Sequence, residues 1–402
     1  MASNQARRPS EPTSAPGEVN VLALIDHFVM GGAESQLTRF ALAAAGSGIR
    51  LSIACLEERD GNPAAAPLVE HGIAPVNLNL TGRHGPRSVQ AVRRHITAVN
   101  PQLVHTHLGT SDMLGGLAAR SLGVPAISTI HAASWGAGID AKRRLVRACA
   151  TRIIAVSDSA KREYLSRGWA REDQIVTVHN GIDAVATPGA GADVRRELGL
   201  APDDLVVGMV SALRPEKGHD VALEIVRSLR DSHPRLRLLI VGRGALTDQI
   251  AAQAADLGDA VVMAGMRHDV MRVFDAIDVC LQPSRSDAFP TTLIEAMAAS
   301  VPILATAIDG IPEIITDGET GVLAAAPPRA PAFADALKDL LDDPEKRRRL
   351  AQAGRLDYER RLTTRPWVAG TRAVYDSVIA QSGRAGRRRI GTGFGAREVN
   401  AR

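Results

Sequence analysis

DVCLQPSRSDAFPTTLIEAMAASVPILATAIDGIPEIITDGETGV, residues 278–322, reads as strand, loop, helix, strand, loop, helix. Asp278–Gln282 is a short apolar run of strand type, and Pro283–Asp287 is a polar loop. Pro290 suits a first helical position, since its missing N–H would have no partner there anyway. Thr291–Ala299 then has helical composition. With Pro290 first, Phe289 is the cap and has no side-chain oxygen to offer, so the amides of Thr291, Thr292 and Leu293 are left to hold an anion at the positive end of the helix. Thr291, Thr292 and Glu295 share one face at three- and four-residue spacing. Asp287 in the loop and Glu295 one turn into the helix therefore flank a site of phosphate size. Such a site suits a ligand that carries both phosphate and hydroxyls, such as a sugar nucleotide; the alternative is a helix with solvated acids behind a Gly/Pro loop.

Outward from this stretch, short apolar runs alternate with amphipathic helical segments. Strands are expected at Val19–Ile25, Ile49–Leu56, Pro75–Leu78, Leu103–Thr106, Ala126–Ile130, Arg152–Val156 and Gln174–Val178. A second set is expected at Leu205–Val210, Arg237–Val241, Ala260–Ala264, Asp278–Leu281 and Pro302–Ala305. Continuous apolar strands separated by helices imply parallel sheets covered on both faces. Two doubly wound α/β domains are a simpler reading than one sheet of twelve strands. The boundary falls in the Gly-, Ala- and Pro-rich segment Gly181–Gly191. The domains expected are residues 19–183 and 184–365, with a last helix around 366–380 returning to the first; 1–18 and 381–402 are expected to be a disordered tail and a flexible basic tail.

The 402 residues are 45% hydrophobic and 23% charged, the composition of an ordinary soluble chain. No apolar run approaches the roughly 20 residues that span a bilayer, and the polar start MASNQARRPSEPTSAPGE is no secretory signal. Cys55, Cys149 and Cys280 are far apart in apolar contexts, which predicts buried free thiols and a cytoplasmic setting. The net charge of +4 is mild and aromatics make up 3%, so stacking material for nucleic acid is scarce and no nucleic-acid partner is expected.

Several residues outside the opening stretch carry chemistry. Gly31 and Gly32, in a loop from Met30 to Glu34, let backbone approach a ligand at a strand–helix turn, or simply make that turn tight. His105 and His107 face the same way on a strand. Their spacing also begins the metal site of amidohydrolase barrels, but the later strands supply no further His or Asp for one, and no metal is expected. His131 closes a strand, where ligands gather in open parallel sheets. Helix Asp140–Thr151 carries Lys142, Arg143, Arg144 and Arg147, either a solvated face or a basic surface for peripheral contact with anionic lipid or acceptor. Arg214 and Lys217 follow a strand as a pair of cations of the kind that neutralises a leaving diphosphate.

The opening stretch resembles the C-terminal signature of the group 1 retaining glycosyltransferases, whose fold is GT-B. That family carries Glu, seven residues, Glu; here Asp287, seven residues, Glu295. Val301-Pro302-Ile303, Gly310-Ile311-Pro312-Glu313-Ile314 and Asp317-Gly318-Glu319-Thr320-Gly321 follow the family closely, as do Ala155-Val156-Ser157 and Asn180-Gly181-Ile182-Asp183. The resemblance runs from about Val19 to Ala380. It implies two Rossmann-like domains facing across a cleft, with the nucleotide-sugar donor held by the second.

On this resemblance Gly31 and Gly32 lie opposite the donor diphosphate and His131 reaches the donor sugar. Lys217 falls on the family's lysine. The family's arginine, five residues earlier, is Ala212 here, and Arg214 is assigned its task. Gly244 lies in the family's place for nucleotide contact, and Arg267 lies in the loop whose backbone reads the base. Glu295 holds the ribose, and Asp287, one methylene shorter than the family's Glu, holds the donor sugar. The implied activity is transfer of a sugar from a UDP- or GDP-linked donor to a glycan or lipid-linked acceptor with retention, without cofactor. A silent sugar-nucleotide-binding protein and a nucleotide-sugar 2-epimerase on the same fold are the alternatives.

Overall fold

A computed structural model describes residues 17–29, 31–82, 85–131 and 139–391, with side chains as far as residue 382. Seven strands form the first sheet: β1 (Val19–Ile25), β2 (Ile49–Cys55), β3 (Val76–Asn77), β4 (Leu103–His107), β5 (Ala126–Ile130), β6 (Arg152–Ala155) and β7 (Ile175–Thr177), in the order β3-β2-β1-β4-β5-β6-β7. Six form the second: β8 (Leu205–Val210), β9 (Leu236–Val241), β10 (Val261–Gly265), β11 (Val279–Gln282), β12 (Ile303–Thr306) and β13 (Val322–Ala324), in the order β10-β9-β8-β11-β12-β13. In the first sheet β1 pairs parallel with β2 and β4, β2 with β3 and β6 with β7, and the five pairings of the second sheet are parallel, for example Val279 with Val207. Both sheets are thus Rossmann-like.

The strands are apolar on both faces because helices cover both. In the second sheet, Val206, Cys280 and Ile303 pack on Leu293, Ile294 and Met297. Their neighbours Val207, Val279 and Leu304 turn to the opposite core with Val221, Ile225 and Phe333, the period-two alternation of a strand. The helix His219–Leu229 shows the matching pattern: Val221, Ala222, Ile225, Val226 and Leu229 are buried while Glu224 and Arg227 are exposed. Each large side chain so buried contributes about 1.5–3 kcal/mol. In the first sheet Leu22, Leu24 and Val104 meet Val92 and Ile96 on one side, and Ala23, Ile25 and Ile53 meet Leu37 and Ala41 on the other.

By compactness, the described parts of residues 1–128, 148–152 and 371–402 form one unit, and those of 129–147 and 153–370 the other. The last helix, Thr364–Gly391, is longer than the expected segment. Residues 381–391 of the expected tail are therefore helical; they contain no proline, and their Ala and Arg residues are good helix formers. Residues 392–402 of the expected tail, residues 1–16 of the other, and Met30 lie outside the described residues. Among the described residues no helix is long and apolar enough to cross a membrane. The three cysteines are buried and free, as expected.

Candidate functional site

Chain order in the second sheet reverses at its middle. From β8 the chain runs outward to β9 and β10, then returns to place β11 on the other side of β8. Loops leaving the carboxyl ends of these two central strands diverge, and ligands of open α/β sheets bind in the crevice between them. Those loops are residues 211–218 and 283–290, and they carry Arg214, Lys217 and Asp287.

Backbone packing holds the two loops together. Gly218 has φ +73°, and a Cβ there would lie 2.0 Å from the Pro283 carbonyl oxygen. Arg285 grips the first loop from the second: its N–H donates to the Glu216 carbonyl at 2.7 Å and its Nη1 to the Pro215 carbonyl at 3.1 Å. Its guanidinium also takes both oxygens of Asp220, at 2.8 and 2.6 Å. Asp287 is fixed at the backbone as well. Its N–H donates to Asp309 Oδ2 at 2.9 Å, and its carbonyl accepts from Gly310 at 3.2 Å.

Its side chain meets Lys217, with Nζ 2.5 Å from Oδ2. Gln282 Nε2 donates to the same oxygen at 3.2 Å and to Ser284 Oγ at 2.9 Å. Burial pushes the Asp287 carboxyl above its ordinary value, and the Lys217 charge opposes that rise. The site thus presents a carboxylate pinned by a cation and an amide, beside an uncommitted cation, Arg214. That arginine is exposed, and its guanidinium has no ion pair among the described residues.

The following helix spans Thr291–Ala298, and its cap is Pro290, not Phe289. Phe289 is buried, with its ring stacked on His179 at 4.8 Å, and Pro290 stays extended at ψ 111°. Leu293 consequently gives its amide to the Pro290 carbonyl at 3.2 Å. Thr291 and Thr292 are left with amides open to an anion, one fewer than expected. Glu295 is 9% exposed in the second turn. Burial, with the Glu295 charge added, pushes the Cys280 thiol up to about 12.

Other expected site residues sit as follows. Gly244 lies against Leu213, whose carbonyl oxygen would be 2.3 Å from an added Cβ. Arg267 is clamped by Glu197 at 2.7 and 3.2 Å and by Asp269 at 2.9 and 2.7 Å. Asp269 and Glu197 hold its pKa above the usual value, so its side chain is committed to these carboxylates.

Gly31 precedes the helix Gly32–Ala44, where a Cβ would lie 2.3 Å from Glu34 Oε2. The bare glycine makes room for that carboxylate, which also lies 3.3 Å from His27 Nδ1. A carboxylate at this helix start competes with any anion for the same positive end. Burial pushes His131 down to about 4, so its imidazole is neutral at pH 7.

His105 and His107 share a strand face, with ring centroids 4.2 Å apart. Both are buried, and His105 Nδ1 lies 2.7 Å from the Tyr375 hydroxyl on the last helix. The trio of described residues within metal-ligand reach is instead Asp158, His179 and Glu313. Its Glu313 oxygens already accept the amides of Asp158 and Ser159 at 2.7 Å.

The basic helix needs correction. In Ile139–Cys149, Arg143 is buried with its guanidinium 5.3 Å from the centre of the Tyr164 ring, and Arg147 donates to the Gly168 carbonyl at 2.8 Å. Positions 143 and 147 stand one turn apart on the inner face. Only Lys142 and Arg144 of the four remain exposed, half the charge expected of a membrane-facing surface. Arg285, Gln282 and Gly310 were not anticipated, because each acts through a partner in another loop or by backbone contact.

Known proteins bear on this geometry. Residues 30–185 match the model of Glycosyltransferase Family 4, and residues 192–357 that of Glycosyl transferases group 1. The chain is 30% identical over 320 residues to a D-inositol 3-phosphate glycosyltransferase of Acidothermus cellulolyticus, covering 73% of this chain and 71% of that protein. A protein of the same name from Stackebrandtia nassauensis is 33% identical over 288 residues, 65% of each chain, so the match spans about two thirds of these relatives' length. Among solved structures, Anabaena HepE in complex with UDP has the same fold, with a TM-score of 0.78 at 20% identity over 89% of this chain and 100% of that one. Two Rossmann-like sheets with these matches along both place the chain in the GT-B glycosyltransferase superfamily.

Proposed function

We propose that this protein transfers a sugar from a nucleoside diphosphate donor to a hydroxyl of an acceptor, with retention of configuration as in the group 1 enzymes. The observation that carries the reading is the Lys217–Asp287 pair at the sheet's switch point, next to the open amides of Thr291 and Thr292. As the bond from the sugar's anomeric carbon to the diphosphate breaks, negative charge grows on the leaving oxygen. Lys217, Arg214 and the two amides stabilise that charge; a preorganised donor aimed at developing charge is worth about 3–4 kcal/mol. Asp287 accepts a hydrogen bond from a hydroxyl of the donor sugar through the oxygen that Lys217 leaves open. Neutral His131 orients the sugar, and Glu295 accepts from the ribose. The acceptor hydroxyl enters on the face from which the diphosphate leaves, its proton passing to the departing diphosphate oxygen.

The acceptor is a polyol. A glycan or lipid-linked glycan is one class; an inositol phosphate, the substrate in the names of the relatives, is the other. The reading is tested by incubating the protein with a panel of UDP- and GDP-sugars, scoring thermal stabilisation and diphosphate release, then adding D-inositol 3-phosphate or oligosaccharide acceptors. Stabilisation by one nucleotide series and faster release with one acceptor class are expected. Stabilisation without turnover under any pairing refutes transfer and leaves a sugar-nucleotide-binding protein.

A further inference from the structure

The loop after β9 is laid on the loop after β8. Ser211 N–H donates to the Val241 carbonyl at 3.0 Å, Leu213 N–H to the Arg243 carbonyl at 3.1 Å, and Leu246 N–H to the Leu213 carbonyl at 3.1 Å. Two glycines permit this layering. A Cβ on Gly242, at φ +136°, would lie 2.0 Å from the Ser211 carbonyl oxygen, and one on Gly244 would lie 2.3 Å from that of Leu213. Arg214 and Arg243 therefore leave from neighbouring backbone, and both are exposed.

Charge accounting around these loops is uneven. Lys217 is paired with Asp287, Arg267 with Glu197 and Asp269, and Arg285 with Asp220. Among the described residues neither the Arg214 nor the Arg243 guanidinium has a carboxylate or a hydrogen-bond partner. Arg243 Nε lies 3.8 Å from where a Cβ of Gly265 would be, so its side chain runs along the end of β10. Two like charges carried on hydrogen-bonded loops, neither with a counter-charge among the described residues, leave a positive potential over both loops. An anion with several oxygens bound over these loops neutralises that potential and can accept charge-assisted hydrogen bonds from both forks.

We propose that Arg243 is a diphosphate-binding residue of the donor site, acting beside Arg214. The inference rests on the donor reading given above and assigns that site a cation from the β9 loop. Its ligand class is a nucleoside diphosphate rather than a nucleoside, since the guanidinium pair recognises charge and not the base.

The test is calorimetric titration of the full chain, Arg243→Gln, Arg214→Gln and Arg243→Lys with UDP, GDP, uridine and guanosine. Arg243→Gln is expected to weaken binding of the preferred diphosphate about tenfold, as does Arg214→Gln, through loss of one charged hydrogen bond. Nucleoside binding is expected to change by less than about twofold, since no charge is at stake there. Arg243→Lys keeps the charge and recovers part of the loss. Because Arg243 is exposed and unpaired, its replacement leaves folding intact, which a melting curve checks. Diphosphate affinity unchanged in Arg243→Gln, with the wild type binding, overturns this inference alone. Equal loss of diphosphate and nucleoside binding overturns it too, because it indicates contact with the base. Failure of the wild type to bind either diphosphate sinks the donor reading and this inference with it.

Discussion

Lys217 and Asp287, 70 residues apart in the chain, meet with Nζ 2.5 Å from Oδ2. Neither loop alone positions its residue. Gly218 presses on Pro283, Arg285 binds back to Asp220, and Gly310 supports the Asp287 carbonyl. The pair is a product of sheet topology, because only the reversal between β8 and β11 makes these loops neighbours.

Removing the cation is expected to cost both stability and chemistry. In Lys217→Met the Asp287 carboxylate stays largely buried with only Gln282 donating to it, a loss on the order of 2 kcal/mol at neutral pH. Turnover is expected to fall at least about a hundredfold, since Lys217 also faces the developing diphosphate charge. The pH dependence has a definite sign. The folded Asp287 carboxyl sits above its unfolded value, so the folded state binds its proton more tightly. Its contribution to stability is greatest in acid and declines as pH rises from the ordinary carboxylate value through the raised one. Asp287→Asn should abolish that decline. Thermal melts across this range, superimposable for wild type and Asp287→Asn, would refute the assignment.

Arg285 touches no expected reacting group, yet it ties the loop of Lys217 to the loop of Asp287. Arg285→Ala is expected to lower kcat by about ten- to a hundredfold, the scale of a misplacement near 1 Å. The melting point should move little, because this ion pair is about half exposed. Asp220→Ala should show a smaller loss, because Arg285 keeps its bond to the Pro215 carbonyl, and the double variant should be no worse than Arg285→Ala alone, the signature of a shared contact. Additive losses in the double variant would show that the two residues act separately.

Twelve of the thirteen strands among the described residues were legible as apolar runs. Val322-Leu323-Ala324 was not, since three residues at a sheet edge carry no period. The end of the last helix was misjudged for the opposite reason: Arg-rich sequence looks solvated whether helical or not. That Lys217 and Asp287 lie in loops at the carboxyl ends of strands was readable, because both follow apolar runs, and Glu295 falls in the helix beyond Asp287, as its spacing implies. What holds them was not. Arg285 finds Asp220 at a separation of 65 residues, and Gln282 reads as one more strand residue until Asp287 folds back over it. Phe289 draws Pro290 out of the helix through a contact with His179, which no local preference for proline in the first turn reveals.

His219 opens the helix after Lys217 and is buried, with Nε2 3.3 Å from Ser211 Oγ. Burial pushes its pKa from 6.5 down to about 4, with Asp220 opposing and Lys217 assisting. The unfolded chain therefore binds a proton that the folded chain refuses between about 4 and 6.5. The stability from neutral His219 is fully present above 6.5 and is lost as pH falls towards 4, a change on the order of 3 kcal/mol. His219→Gln should flatten that part of the stability curve by up to about one proton. Denaturant melts at closely spaced pH values measure the slope, and an unaltered slope in the variant would place the acid sensitivity elsewhere.

Gly310 separates steric from conformational effects. Its φ of −85° and ψ of −2° suit any residue, so alanine carries no backbone strain there. A Cβ at this position would nevertheless lie 1.9 Å from the Ala288 carbonyl oxygen and 3.1 Å from Ser157 Cβ. Relief requires the Asp287–Phe289 segment to move, which breaks the Gly310 N–H contact with the Asp287 carbonyl at 3.2 Å and displaces the carboxylate from Lys217. Gly310→Ala is therefore expected to lose about 1–3 kcal/mol of stability and about a hundredfold or more in turnover. Gly318→Ala is the control. At φ +73° with open space around it, that alanine is strained but displaces nothing, so about 1 kcal/mol of stability should go and turnover should remain. Equal turnover in the two variants would mean that the Ala288 carbonyl yields without disturbing Asp287, and that the loop is softer than its hydrogen bonds imply.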